Sequence, residues 1–201
     1  MTLETPIPAG VTVYFIRHGE TDWNVAGRMQ GRADIPLNAK GCEQAARNGL
    51  TLKAVLADSG ALDFIASPMV RARKTMQIIR QELSLPADGA RLDDRLAELS
   101  FGDFEGKTWA EVTAVYPDEM TTRKAGIWDY RPPGGESYGD LQARIRPVFQ
   151  SLTRDTIMVA HGGVMRCLEQ AIRDYPKGNI LKLDVPQDKI MVVADGKIGW
   201  V

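Results

Sequence analysis

The chain contains two histidines, and each stands at the end of an apolar run. His18 follows Val11-Thr-Val-Tyr-Phe-Ile16 through Arg17, and His161 follows Thr156-Ile-Met-Val-Ala160. Glycine comes next in both places, in Arg17-His18-Gly19 and in His161-Gly162-Gly163. An imidazole can act as a nucleophile, a base or a metal ligand, and an adjoining glycine lets backbone amides approach an anion closely. Arg17 adjoins the first histidine, and a second arginine, Arg71, follows Ser67-Pro-Met-Val70. Arg71 falls in the first turn of a predicted helix, where a cation opposes the helix dipole, so its placement implies an anionic partner. Guanidinium groups suit bidentate contact with phosphate. Arg73 and Lys74 read as a solvated helix face.

These groups can act together only if the fold brings them to one edge. Val11 to Ile16 reads as a buried strand, bounded by Gly10 and Gly19, and Gly19 to Leu37 as a loop. A helix is predicted from an N-cap at Asn38 to about Ser59, a strand over Asp63 to Ala66, and a helix over Met69 to Leu83. Gly102 to Gly106 makes a turn, Lys107 to Tyr116 a helix, and Arg131 to Gly135 a Pro/Gly loop. A helix over Ser137 to Leu152 precedes the most apolar strand, Thr156 to Ala160, and another helix covers Gly162 to Arg173. Short strands are expected at Ile180 to Val185, Ile190 to Ala194 and Lys197 to Trp200. Strands alternating with helices predict an α/β three-layer sandwich, a mainly parallel central sheet flanked by helices, with antiparallel additions at the end. Ligands of such sheets sit beyond the carboxyl ends of the strands, where both histidines would emerge if their strands are parallel neighbours.

The bulk numbers fit a single domain over 1–201. With 44% hydrophobic residues in 201, the chain should bury about 70% of its unfolded surface without a metal or disulfide. The 25 basic and 26 acidic residues nearly cancel, which argues against a nucleic-acid partner. Cys42 and Cys167 fall in predicted helices without ligand spacing and read as free thiols in a reducing cytoplasm. Residues Met1 to Gly10 hold Glu4 and no Lys or Arg, unlike a secretory signal. No run approaches the roughly 20 apolar residues of a membrane helix. The expectation is a cytoplasmic enzyme with no membrane partner; the oligomeric state is not legible.

Arg17-His18-Gly19-Glu20-Thr21, with Trp23-Asn24 behind it, resembles the signature of the histidine phosphatase superfamily, the phosphoglycerate mutase-like enzymes. Gln30-Gly31, Asp34-Ile-Pro36-Leu37, Ser67-Pro68 with Arg71-Ala72 and Thr75, Leu96-Ala-Glu98, Phe101 to Gly106, Pro133 to Ser137 and His161-Gly162-Gly163 continue the likeness in order. Met69 departs from the usual leucine. The resemblance implies that His18 becomes phosphorylated, that Arg17, Arg71 and His161 form the phosphate pocket with Asn24 and Gly162 assisting, and that Glu98 donates the proton. It implies no cofactor and no metal. Elementary chemistry agrees: arginines beside an imidazole lower its pKa and neutralise phosphoryl oxygens, and a carboxylic acid can protonate a leaving alkoxide. Glu105, seven residues on, rivals Glu98 for that role.

Other readings compete. Two histidines and a carboxylate could form a facial metal site, but a divalent ion about 5 Å from two arginines would meet over ~10 kcal/mol of repulsion. A non-catalytic phosphate-binding module would have no use for His18 and Glu98. A phosphoglycerate mutase is the alternative within the family; only 62 residues lie between Glu98 and His161, which favours a phosphatase. The substrate is expected to be a small phosphorylated metabolite, with sugar phosphates and α-ribazole 5′-phosphate as candidates. Trp23, Trp109, Trp128 and Tyr130 could stack on a leaving group or simply pack in the core.

Overall fold

Alternate residues of the apolar runs face opposite ways, and each face meets its own pair of helices. A computed structural model describes residues 6–56 and 61–201. Strands β1 (Val13–Arg17), β2 (Asp63–Ala66), β3 (Arg91–Leu92), β4 (Thr156–Ala160), β5 (Met191–Ala194) and β6 (Lys197–Trp200) form one sheet in the order β3-β2-β4-β1-β5-β6. The four strands β3, β2, β4 and β1 run parallel, while β5 and β6 are antiparallel additions. Val13, Phe15, Met158 and Ala160 pack against α6 (Tyr138–Gln150) and α7 (Gly162–Arg173). Ile16, Ile157 and Val159 pack against α2 (Ala39–Val55) and α3 (Val70–Glu82). The result is the three-layer α/β sandwich expected, with β4 buried along its whole length because it lies inside the parallel set.

Most elements fall where the pattern puts them. Asn38 caps α2 through its side-chain oxygen, which accepts from the Gly41 amide at 2.8 Å. That helix ends at Val55, one turn short of the expected Ser59, with Leu56 already extended; residues 57–59 lie outside the described residues, as does Glu4. Cys42 in α2 and Cys167 in α7 are free thiols. Among the described residues no helix is long and apolar enough to cross a membrane.

Two expectations need correction, and two elements were not expected. The Gly19 to Leu37 loop contains a one-turn helix, α1 (Asp22–Val25), because Thr21 and Asn24 close a reciprocal capping box. The expected strand at Ile180 to Val185 is instead a 3-10 helix over Lys177–Lys182, followed by an extended segment outside the sheet. Its carbonyls accept from side chains rather than from a neighbouring strand: Leu183 O from Arg166 Nε at 3.1 Å and Val185 O from Arg17 at 2.7 Å. A helix absent from the sequence reading, α5 (Pro117–Ala125), follows α4 (Trp109–Val115) and begins on a proline at its first turn. The two-residue β3, exposed at both positions, is too short to leave a period in the sequence.

Candidate active site

Strands β1 and β4 are adjacent and parallel, with Arg17 paired to Ala160, so His18 and His161 leave the same edge side by side. Their ring centroids lie 5.1 Å apart with the planes at 60°. Both rings are buried. The third strand of the set, β2, delivers Ser67 to the same edge, where its hydroxyl lies 2.7 Å from His161 Nε2.

His18 Nδ1 sits 2.8 Å from the Gly19 carbonyl oxygen. A carbonyl only accepts, so Nδ1 carries the proton and the Nε2 lone pair is left for chemistry. Burial depresses the His18 pKa well below 6.5, and the charges of Arg71 and Arg17 push the same way. His161 is depressed likewise, by burial first and then by Arg71, His18 and Arg17. Both rings are therefore neutral at pH 7.

Arg17 ends β1 and points under the 184–187 segment. Burial brings its pKa down to about 10, with Glu98 opposing and Arg166 and Arg71 adding to the fall. Arg71, the second residue of α3, is wholly buried, and its two terminal nitrogens donate to the carbonyls of Ala33 (2.7 Å) and Gly31 (2.8 Å). The helix terminus itself takes Asp34, whose carboxylate accepts from the Val70 amide at 2.7 Å. Among the described residues, four buried side-chain N or O atoms lack a partner: Arg17 Nε, Arg71 Nε, His161 Nδ1 and Gln30 Oε1. Three of the four belong to the phosphate-pocket residues expected from the sequence. An unsatisfied buried polar group costs about 1–3 kcal/mol, and an oxyanion would satisfy the donors at once.

The structure separates the three nearby glutamates. Glu98 lines the pocket with Arg17, His18, Asn24, Arg71 and Gly162. Its carboxylate accepts from the Leu99 amide at 2.8 Å and from the Gly163 amide, at the start of α7, at 3.1 Å to each oxygen. A Cβ on Gly163 would stand 2.4 Å from Glu98 Oε1, so this close approach requires glycine there. Glu105 does not line the pocket; its carboxylate binds the Arg32 and Phe101 amides at 2.9 and 3.1 Å and ties two loops together. Glu136 lines the pocket too. Burial works to raise its pKa, yet Arg144 and the Ser100 amide hold it below the ordinary value.

Asn24 is turned by its neighbours. Its Oδ1 accepts from the Thr21 amide (3.2 Å), the Thr21 hydroxyl (3.3 Å) and Gln187 Nε2 (3.1 Å), which leaves Nδ2 as the group offered to the pocket. Gln187 Nε2 also donates to the His18 carbonyl at 3.0 Å. Thr75 accepts from the Gly19 amide at 3.1 Å. No role was expected for Gln187, Arg166, Glu136 or Arg144; Glu136 lies within the Pro133 to Ser137 motif, whereas the other three have no local spacing that would reveal them. Around the mouth stand Trp109, Tyr130, Arg28, Arg123 and Arg166, while Trp128 packs in the core beside Tyr138. Among the described residues no group of three His, Cys, Asp or Glu side chains is placed to hold a metal ion.

Comparison with known proteins agrees with this geometry. A family profile described as histidine phosphatase superfamily (branch 1) matches residues 13–201. The chain is 33% identical over 172 residues to the Probable phosphoglycerate mutase GpmB of Salmonella paratyphi C, covering 82% of this chain and 75% of the relative. It is 33% identical over 178 residues to the glucosyl-3-phosphoglycerate phosphatase of Mycobacterium tuberculosis, covering 82% and 76%. Among solved structures, Bacillus stearothermophilus YhfR superposes with a TM-score of 0.80 at 31% identity, over 94% of this chain and 95% of that one. A mycobacterial glucosyl-3-phosphoglycerate phosphatase in complex with VO3 gives 0.78 at 28%, over 96% and 97%. Two buried histidines on adjacent parallel strands, facing buried arginines, thus accompany likeness over nearly the whole length, and the chain belongs to the histidine phosphatase superfamily, branch 1.

Proposed function

We propose that the protein is a phosphomonoesterase acting on a small phosphorylated metabolite through a phosphohistidine on His18. The observation that carries this reading is the His18 ring itself: its proton is held on Nδ1 by the Gly19 carbonyl, with unsatisfied arginine donors on Arg17 and Arg71 beside it. Nε2 attacks phosphorus, the bond to the leaving oxygen breaks, and that oxygen takes the proton of Glu98. Water then attacks the phosphorus, gives its proton to Glu98, and the P–N bond breaks. Arg17, Arg71, His161 and Asn24 hold the phosphoryl oxygens, with Gly162 lining the pocket beside Arg17. Glu98 is preferred to Glu136 because Arg144 and Arg32 already engage the Glu136 carboxylate. No cofactor enters this scheme, and residues 1–201 act as one domain in the cytoplasm.

The leaving-group side favours a charged substrate over α-ribazole 5′-phosphate. Arg28 pairs with Glu111 at 2.8 Å. Arg123 lies over the Trp109 ring at 4.1 Å, and Arg166 donates to a carbonyl; neither meets a carboxylate among the described residues. With Arg17 and Arg71 they face a dianionic phosphoryl group and one further negative charge comfortably, as a sugar-acid phosphate provides. Transfer to a second hydroxyl, the mutase outcome, is the alternative, and the short span between Glu98 and His161 speaks for hydrolysis. Intact-protein mass after a rapid acid-free quench during p-nitrophenyl phosphate turnover tests the mechanism. A phosphoryl adduct present in the native chain and missing from His18→Ala is expected; unimpaired turnover by His18→Ala would overturn it.

A further inference from the structure

Arg144, on α6, lies outside the pocket lining, and its side chain is 19% exposed. Its guanidinium grips Glu136 with Nε at 3.0 Å and one terminal nitrogen at 2.9 Å. The other face of the same group reaches the carbonyls of Arg95 (2.5 Å), Ala97 (3.0 Å) and Glu98 (3.4 Å). Three contacts from this side chain thus clasp the backbone that carries Glu98, and two more tie it to the Glu136 carboxylate. Glu136, in turn, binds the Ser100 amide at 3.1 Å and Arg32 at 3.2 Å, closing the clasp on the far side of Glu98.

We propose that Arg144 is a positioning residue for the proton donor, and that through Glu98 it sets how well the enzyme expels a poor leaving group. The inference rests on the reading of Glu98 as that donor. The carboxyl must meet the leaving oxygen within hydrogen-bond reach, and a misplacement of about 1 Å can cost on the order of 100-fold. Only a planar fork can span a carboxylate and three carbonyls at once; a lysine ammonium is a single point charge and cannot.

The test compares two probes. Nitrophenolate leaves without needing a proton, whereas the alkoxide of glycerol 2-phosphate does not. Arg144→Lys and Arg144→Gln should lower kcat/KM for glycerol 2-phosphate by roughly 100-fold while changing that for p-nitrophenyl phosphate by about threefold or less. The ratio of the two values does not depend on how much enzyme is folded, so partial loss of stability leaves the readout intact. Glu98→Gln, run alongside, should shift the ratio at least as far. An unchanged ratio in both Arg144 variants with a shifted one in Glu98→Gln would overturn the positioning role and spare the donor. An unchanged ratio in Glu98→Gln would remove the donor assignment and this inference with it.

Discussion

The two ends of the pocket are built from different amounts of core. At the phosphate end, Arg17, His18, Ser67 and His161 hang from three adjacent strands whose both faces are covered, and α3 brings Arg71 in fully buried. At the leaving-group end, α4 buries only Val112 and α5 buries nothing among its described residues. A small cluster of Met29, Phe104, Val112 and Tyr130 supports that wall. The phosphate end must hold positive charge and neutral imidazoles in fixed positions out of water, which takes a surrounding core. Recognising a leaving group needs less, so the weakly packed wall is where selectivity can vary while the chemistry stays.

Removing the nucleophile should have the largest effect. His18→Ala is expected to cost roughly 10⁴-fold or more in kcat, on the scale of other lost nucleophiles; retention of a tenth of the activity would place the chemistry elsewhere. Next, Arg71→Met should lower kcat/KM by about 10²–10³-fold, as loss of one preorganised donor does. It should also lower the melting temperature, since the Gly31 and Ala33 carbonyls lose their partner inside the protein. A melting temperature equal to that of the native chain would show that the phosphate end is less tightly built than the contrast requires.

Acid should attack the same end. Both histidines are held neutral, with pKa values depressed from 6.5, so below pH 6.5 the unfolded chain binds protons that the folded chain refuses. Stability therefore falls as pH drops through that window, by about 1.4 kcal/mol per pH unit for each histidine. Urea unfolding at pH 7 and pH 5.5 measures this, and His18→Ala should remove about half of the histidine share. The smallest effect belongs to the opposite wall. Arg123→Gln should raise KM for a phosphorylated carboxylic acid by up to about tenfold while leaving p-nitrophenyl phosphate turnover and folding nearly unchanged. A uniform loss on both substrates would assign Arg123 to packing on Trp109 instead.

The elements that the sequence made legible are those with a strong local signal. The apolar runs before His18 and His161, the Asn38 cap and the glycine after each histidine all act within a few residues. Where the signal was weak or ambiguous, the reading slipped. Ile180 to Val185 has strand composition, but Arg17 and Arg166 occupy carbonyls that a ladder would have used. The helix α5 buries no residue and so shows no hydrophobic period.

From the sequence alone follow the two histidines with their glycines, the arginines beside them, the layered α/β class and the family likeness, because propensity and short-range spacing are written in neighbouring residues. Only the tertiary structure set β1 beside β4 and brought Gln187, Val185 and Arg144 to serve Asn24, Arg17 and Glu98. Those partners lie 163, 168 and 46 residues apart in the chain. At such separations a hydrogen bond leaves no local pattern, since it exists only after the sheet has ordered its strands and closed the helices over them.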